Sequence, residues 1–225
     1  CIFNDIVDKD FDKKVKRTKR RPIASGKISI SQSFIYVVIL CLAALIILIQ
    51  LNHLTIILGM SSMILAFSYP FMKRITYWPQ LFLGITFNWG ILMAWTAMNN
   101  TFTAEIVLLF VSAIFWTLGY DTIYGAQDMS DDEIIGIKST SIKFKKHINL
   151  FILLSYVVCS IILLFLFKEY LGLNIFTFLI FSFILSLIYQ VIHFDKKNNK
   201  NYLRLFKVNN LSGFLLFLGI TSINF

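Results

Sequence analysis

Apolar side chains fill this sequence in long unbroken runs, and charged residues are confined to the gaps between them. Seven runs, near 33–52, 54–72, 81–99, 103–121, 148–168, 171–193 and 209–225, approach the length a helix needs to cross hydrocarbon. Their continuity, without apolar–polar alternation, argues against strands. In a bilayer every backbone polar group must find its partner inside the protein, and a helix achieves this within one segment. The pattern therefore predicts an all-α, polytopic transmembrane helical bundle, forming a single membrane-embedded domain over residues 1–225. No tandem repeat, low-complexity tract or separate soluble domain interrupts it.

Composition strengthens this reading. Hydrophobic residues make up 57% of the chain, with 23 Phe against 3 Pro, and mean hydropathy is +0.74. A soluble domain of 225 residues could not hide so much apolar surface. The net charge of +9 would suit nucleic acid, but its placement indicates a different cause. Nine Lys and Arg precede the first run, two lie in 73–80, four in 122–147 and five in 194–208. Lys168 alone of the 21 falls in the intervening turns, which is the asymmetry of loops facing the cytoplasm or its equivalent. The basic stretch KKVKRTKRRP is thus read as a topology signal; the expected partner is the lipid bilayer, with no nucleic acid. Cys1, Cys41 and Cys159 show neither metal spacing nor a disulfide framework. The opening residues lack an initiator Met and read as the end of a helix, so a preceding N-terminal piece is expected to be missing.

Acidic residues follow another rule. Of twelve, four lie at Asp5, Asp8, Asp10 and Asp12, and five at Asp121, Asp128, Asp131, Asp132 and Glu133. Both groups fall at the same side of the expected bundle. On a continuous helix Asn4, Asp5, Asp8 and Asp12 share roughly 100° of arc while Asp10 points away; Asp121, Asp128 and Asp132 share roughly 60°. Like charges on one stripe repel, so such stripes imply a bound cation. Oxygen donors without His or Cys select a hard ion, Mg²⁺ or Ca²⁺. An EF-hand from Asp8 is excluded, because Lys13 replaces the turn glycine and Lys19 the bidentate glutamate. Mg²⁺ commonly binds through one or two carboxylates plus substrate phosphates, so two facing stripes suggest a diphosphate between them. A cation transporter would need acids placed mid-span, and none is so placed.

NDIVDKDFD has the form N-D-x-x-D-x-x-x-D, and YDTIYGAQDMSDD the form Y-D-x-x-Y-x-x-x-D-x-x-D-D. Together they resemble the two aspartate-rich motifs of the UbiA superfamily of intramembrane prenyltransferases. SYPFMKRITYWPQLFLG, IGIKSTSIKF and FKVNNLSGFLLFLG are similar to the branch that prenylates 4-hydroxybenzoate in ubiquinone biosynthesis, and RTKRRPIASGKIS also fits. The resemblance covers essentially the whole chain in order. It implies a nine-helix bundle around a central cavity, of which about seven complete spans lie here, without the first helix and most of the second. It implies transfer of a polyprenyl group from polyprenyl diphosphate to the ring of 4-hydroxybenzoate, ortho to the hydroxyl, with release of diphosphate. Other acceptors in the superfamily are homogentisate, dihydroxynaphthoate, haem and a lipid headgroup. The setting would be a bacterial or mitochondrial inner membrane, with the active-site loops on the cytoplasmic or matrix side.

The resemblance also assigns roles. Asn4, Asp5, Asp8 and Asp12 would hold one Mg²⁺ on the diphosphate, and Asp121, Asp128 and Asp132 a second, with Asn4 also on the substrate. Asp121, Asp128 and Arg74 count among the catalytic residues, and Tyr124 among those that bind substrate. Arg74, with Lys73, is the candidate partner of an anion, either the acceptor carboxylate or the diphosphate, since a guanidinium binds both in bidentate fashion. Lys138 would bind diphosphate, and Tyr120 and Tyr124 would line the cavity. Gly125 stands where relatives often carry Ala, a departure expected only to loosen packing. His53, His147 and His193 show no partner spacing, and Asn209 and Asn210 are expected to bond between helices.

Overall fold

Side chains that accept from the backbone set where several long helices begin. Ser29 and Gln32 form a reciprocal capping box at the head of α2 (Ile30–Leu48). The side chains of Asn52, Thr103 and Asn174 accept from the first turns of α3 (His53–Ile75), α5 (Ala104–Gly125) and α9 (Ile175–His193). Pro79 opens α4 (Pro79–Asn99) at a position where its missing N–H costs nothing. The computed structural model describes residues 1–15, 18–195 and 201–223. Within them lie also α1 (Ile2–Asp12), α6 (Met129–Ile135), α7 (Thr140–Lys143), α8 (Ile148–Leu166), a 3₁₀ turn at Lys168–Tyr170, and α10 (Tyr202–Ser222). No strand occurs among the described residues.

Seven of these helices, α2 to α5 and α8 to α10, are long and apolar enough to cross a membrane. They correspond one to one with the seven apolar runs, and the boundaries differ for physical reasons. The last helix starts at Tyr202 rather than 209, because Tyr202 and Leu205 are buried and Tyr202 stacks on Phe194. The third helix runs on to Ile75, which places Lys73 and Arg74 on its last turn, where cations suit the helix dipole. The expected 122–147 loop is largely helical, since α5 continues to Gly125 and α6 and α7 follow. Lys16 and Arg17 of the basic stretch, residues 196–200 of the expected 194–208 loop, and 224–225 of the last expected span lie outside the described residues.

Helix α5 is central, packing against α4, α8 and α10. Ile123 on α5, Ile152 and Tyr156 on α8, Phe183 and Leu187 on α9, and Leu205 on α10 share one core. Gly119 lets α8 approach: a Cβ there would sit 2.3 Å from the Tyr156 ring. Polar pairs join the helices, as expected where no water competes. Thr55 bonds Thr96 at 3.0 Å, Asn88 donates to Thr117 at 2.8 Å, and Asn209 accepts from Trp116 Nε1 at 2.9 Å. Large side chains such as Ile46, Ile64, Phe87 and Phe178 point outward, as lipid-facing residues must.

Hydrogen bonds also gather the helix ends. At one end Asn52 donates to Thr96 O at 2.6 Å. At the other, Lys138 N donates to Lys73 O at 2.8 Å and Asn149 Nδ2 to Phe194 O at 3.2 Å. Both acidic segments lie at this second end, with the α3–α4 turn.

Candidate active site

A cavity of about 200 Å³ opens at that end of the bundle. Asn4, Asp8 and Asp12 enter it from α1, and Tyr69, Pro70 and Lys73 from α3. Across from them stand Asp121, Tyr124 and Gly125 on α5, then Asp128 and Asp132 at the start of α6. Pro79 and Gln80 from α4, with Lys138 and Ser139 between α6 and α7, complete that wall. The two aspartate-rich segments, over a hundred positions apart in sequence, therefore face one space.

The first segment forms the expected stripe on α1. Asp8 and Asp12 are buried, Asn4 and Asp5 half-buried, and the Asp10 side chain is 86% exposed, paired with Lys13 at 3.4 Å. The second segment does not ride on one helix. α5 ends at Gly125, and Asp128 sits at the N-cap of the separate α6. The 60° stripe thus rests on the wrong local geometry; the break in the chain, rather than helical periodicity, brings Asp128 and Asp132 to the cavity beside Asp121.

Cations divide the first segment between them. Lys73 Nζ bonds Asp8 Oδ2, and Arg74 Nη2 lies 3.6 Å from Asp8 Oδ1. Arg21 Nη1 donates to Asp5 Oδ1 at 2.9 Å and to Asp12 Oδ2 at 3.0 Å, joining two aspartates seven positions apart. Burial pushes the Asp12 carboxyl above its usual range, and the Arg21 guanidinium pulls against it. Asp12 lies outside the seven spans.

Four expectations change. Arg74 is not on the cavity wall: its guanidinium donates to Val7 O at 2.8 Å and lies over the Phe11 ring at 4.9 Å, clamping α1 to α3. Lys73, one position earlier, faces the cavity instead. Lys138 does line it, but its ammonium donates to Ile75 O at 3.0 Å and so also caps α3. Tyr120 is absent from the wall and packs edge-on between Trp116 and Phe206, whereas Tyr124 reaches the cavity. A Cβ on Gly125 would lie 2.8 Å from Ser141 Oγ and 3.1 Å from Gln80 Nε2, so its glycine makes room for close packing rather than loosening it.

The donor set suits a hard divalent ion. Every candidate ligand is an oxygen, and Asp8 Oδ1 is buried with an ion pair to Arg74 at 3.6 Å but no hydrogen bond, which leaves it able to meet a further cation. Among the described residues no three acidic, His or Cys side chains gather into a ready cage. Asp5 and Asp12 are turned to Arg21 and do not join Asn4 and Asp8 as a four-ligand group. Such an arrangement matches the way Mg²⁺ is held by few carboxylates, with waters and phosphate oxygens completing its shell.

Arg21 and Gln80 were not legible as site residues. Arg21 sits in a basic run that topology explains by itself, and Gln80 belongs to no charge pattern. The one available signal was Pro79, which marks a helix start and so a donor-rich end.

The family model described as "UbiA prenyltransferase family" matches residues 1–217. The chain is 49% identical over 148 residues to "4-hydroxybenzoate polyprenyltransferase, mitochondrial" of Rattus norvegicus, covering 65% of this chain and 40% of that protein. It is 38% identical over 224 residues to "4-hydroxybenzoate octaprenyltransferase" of Blochmanniella pennsylvanica (strain BPEN), covering 99% of this chain and 77% of that protein. The matched stretch thus spans about two fifths of the length of mitochondrial relatives such as the rat protein. The fold matches the apo structure of a UbiA homolog from Aeropyrum pernix K1 with a TM-score of 0.84 at 22% identity, covering 100% of this chain and 84% of that one. A digeranylgeranylglyceryl phosphate synthase structure matches at a TM-score of 0.71 and 19% identity, over 97% of this chain and 77% of that one.

Proposed function

This chain belongs to the UbiA prenyltransferase family, and we propose that it serves transfer of a polyprenyl group from polyprenyl diphosphate to 4-hydroxybenzoate. The new carbon–carbon bond forms ortho to the hydroxyl; the allylic C–O bond breaks, the ring proton is lost and diphosphate leaves. The observation that carries this reading is the meeting of two acidic segments in one cavity at the end of an apolar bundle, with Lys73, Arg21 and Lys138 around them. The names of the rat and Blochmanniella relatives favour 4-hydroxybenzoate as the acceptor, and the resemblance of the motifs favours a place in ubiquinone biosynthesis.

Asn4 and Asp8 on one side, joined by Asp5 and Asp12 once these turn from Arg21, and Asp121, Asp128 and Asp132 on the other, would hold Mg²⁺. Bound there, Mg²⁺ supplies positive charge against which the diphosphate leaves. Lys73 pairs with Asp8 and Arg21 bridges Asp5 and Asp12, which offsets the repulsion along α1 and adds positive charge facing the same anion. Lys138 holds the α6–α7 segment over the cavity through Ile75 O. Tyr69, Tyr124 and Pro70 wall the space with rings, which keeps water from the reacting carbon. Arg74 acts through α1, by holding Val7 and thereby Asp8 in place. The cavity faces the cytoplasm or the mitochondrial matrix.

Membranes containing the complete protein, given labelled polyprenyl diphosphate and a panel of aromatic acids, test the reading. The expected product is 4-hydroxybenzoate prenylated ortho to the hydroxyl, with Mg²⁺-dependent diphosphate release. Transfer to another acceptor and not to 4-hydroxybenzoate would refute the acceptor assignment.

A further inference from the structure

Gln80 is a buried polar residue that the roles above leave unused. It follows Pro79 on the first turn of α4, is 5% exposed, and lies on the cavity wall. Thr140 N donates to Gln80 Oε1 at 2.9 Å. A backbone N–H can only donate, so the arm facing Thr140 must be the oxygen, and the planar amide then carries its NH₂ on the other side. The Thr140 end is itself anchored: Thr140 Oγ1 bonds Thr122 Oγ1 at 2.7 Å and Ser141 Oγ donates to Thr122 O at 2.8 Å. The amide is therefore held in one orientation from behind. Among the described residues, that bond from Thr140 is the one hydrogen bond the Gln80 side chain makes, which leaves Nε2 without an acceptor. Opposite it stands Gly125, whose missing Cβ leaves the NH₂ unobstructed.

A donor held in one orientation on the cavity wall, without an acceptor in the protein, is free to bond an acceptor that enters the cavity. Its place selects the chemistry. The start of a long helix carries partial positive charge and favours an anion. Asp121, Asp128 and Lys138 occupy the same wall. From this we infer that Gln80 Nε2 donates a hydrogen bond to a diphosphate oxygen of the prenyl substrate, binding and orienting it from the α4 side. This inference rests on the diphosphate reading of the cavity, and it adds a neutral donor to a site otherwise built from charges.

Gln80→Glu separates this role from a structural one. The carboxylate still accepts from Thr140 N–H, so a residue that only braces the α6–α7 segment would tolerate it. As a donor site it becomes an anion facing an anion. The complete protein in nanodiscs, titrated with inorganic pyrophosphate and Mg²⁺ by calorimetry, should lose about ten- to a hundredfold in affinity. The Michaelis constant for polyprenyl diphosphate should rise in step, and that for 4-hydroxybenzoate should stay unchanged. Gln80→Met removes the donor without adding charge and should weaken pyrophosphate by about tenfold, which keeps the test decisive if the Glu variant folds poorly. Pyrophosphate affinity in both variants within about twofold of wild type, or a rise confined to the constant for the aromatic acid, overturns the role of Gln80 alone. A wild-type protein that binds no pyrophosphate overturns the diphosphate reading, and this inference with it.

Discussion

Lys73 donates to Asp8 Oδ2, while the other oxygen of the same carboxylate, Oδ1, is buried without a hydrogen bond. Asp8 is 1% exposed, so its charge is tolerated only because cations reach it from α3. Breaking such a pair from one side leaves an uncompensated buried charge, at about 3–5 kcal/mol. Lys73→Met should therefore lower the thermal midpoint of the detergent-solubilised protein markedly. Asp8→Asn in the same chain should restore most of that loss, because the buried charge is then gone. Prenyl transfer should be abolished in the double variant, since a donor oxygen charge is lost from the cavity. Recovery of activity along with stability would remove Asp8 from the catalytic site.

The α1 stripe supplies an internal control. Asp8→Ala and Asp12→Ala should each abolish transfer in the complete protein while it stays folded in the membrane, since each removes an oxygen donor from the cavity. Asp10→Ala should be tolerated, because that side chain points away from the cavity and its exposed pair with Lys13 contributes little. Loss of activity from Asp10→Ala equal to that from Asp8→Ala would show that position on the stripe is irrelevant.

Arg21 bridges Asp5 and Asp12, a contact that ties the segment after α1 back onto it. Arg21→Ala should release both carboxylates and raise the Michaelis constant for polyprenyl diphosphate by about ten- to a hundredfold, the usual range for losing hydrogen bonds to charged groups. Arg21→Lys should recover part of this, since an ammonium keeps the charge but sits on a stem of different length and geometry from the Nη1 that bridges the two carboxylates. An unchanged constant in Arg21→Ala would confine Arg21 to orientation of the membrane topology.

How far these features could be read from the sequence depends on the range of the interaction. The seven spans were legible because a continuous apolar run carries its own instruction: any other backbone state would leave polar groups unpaired in hydrocarbon. The Asn4–Asp5–Asp8–Asp12 stripe was legible for the same local reason, as one uninterrupted helix fixes its faces. Asp121, Asp128 and Asp132 line one cavity, but not as one helical stripe, because the apolar pattern does not show that α5 stops at Gly125 and α6 begins at Met129. Arg74 and Lys73 are neighbours in sequence, and only the packing of α1 on α3 decides which of them turns to the cavity. Contacts such as that of Gln80 with Thr140, sixty positions apart, leave no local trace.

Sidedness gives a prediction independent of chemistry. Twenty of 21 basic residues fall at alternate connections, so single thiols introduced into 76–78 or 126–128 should be labelled from the cytoplasmic or matrix side. Thiols at 100–102 should be labelled from the opposite side. Cys1 is exposed and Cys41 half-buried, so both must first be replaced, while Cys159 is buried and should not interfere. Labelling of 126–128 from the periplasmic or intermembrane side would invert the proposed orientation of the cavity.

The last prediction separates Arg74 from the residues that touch substrate. Its guanidinium sits on Val7 O and against Phe11, off the cavity wall. Were it to grip the carboxylate of the aromatic acid, Arg74→Ala would raise the Michaelis constant for that acid alone, by about ten- to a hundredfold for a charge-assisted contact. From the position described here a different result is expected. Loss of the clamp loosens α1 and with it Asp8, so the turnover number should fall and both Michaelis constants should change together by less than about tenfold. The thermal midpoint should fall too, because a hydrogen bond and the packing of the planar group on two rings are lost. Arg74→Lys should keep the charge near Asp8 yet recover little of that packing. A selective rise for the aromatic acid, at an unchanged midpoint, would instead place Arg74 in the acceptor site and require it to swing off Val7 when substrate binds.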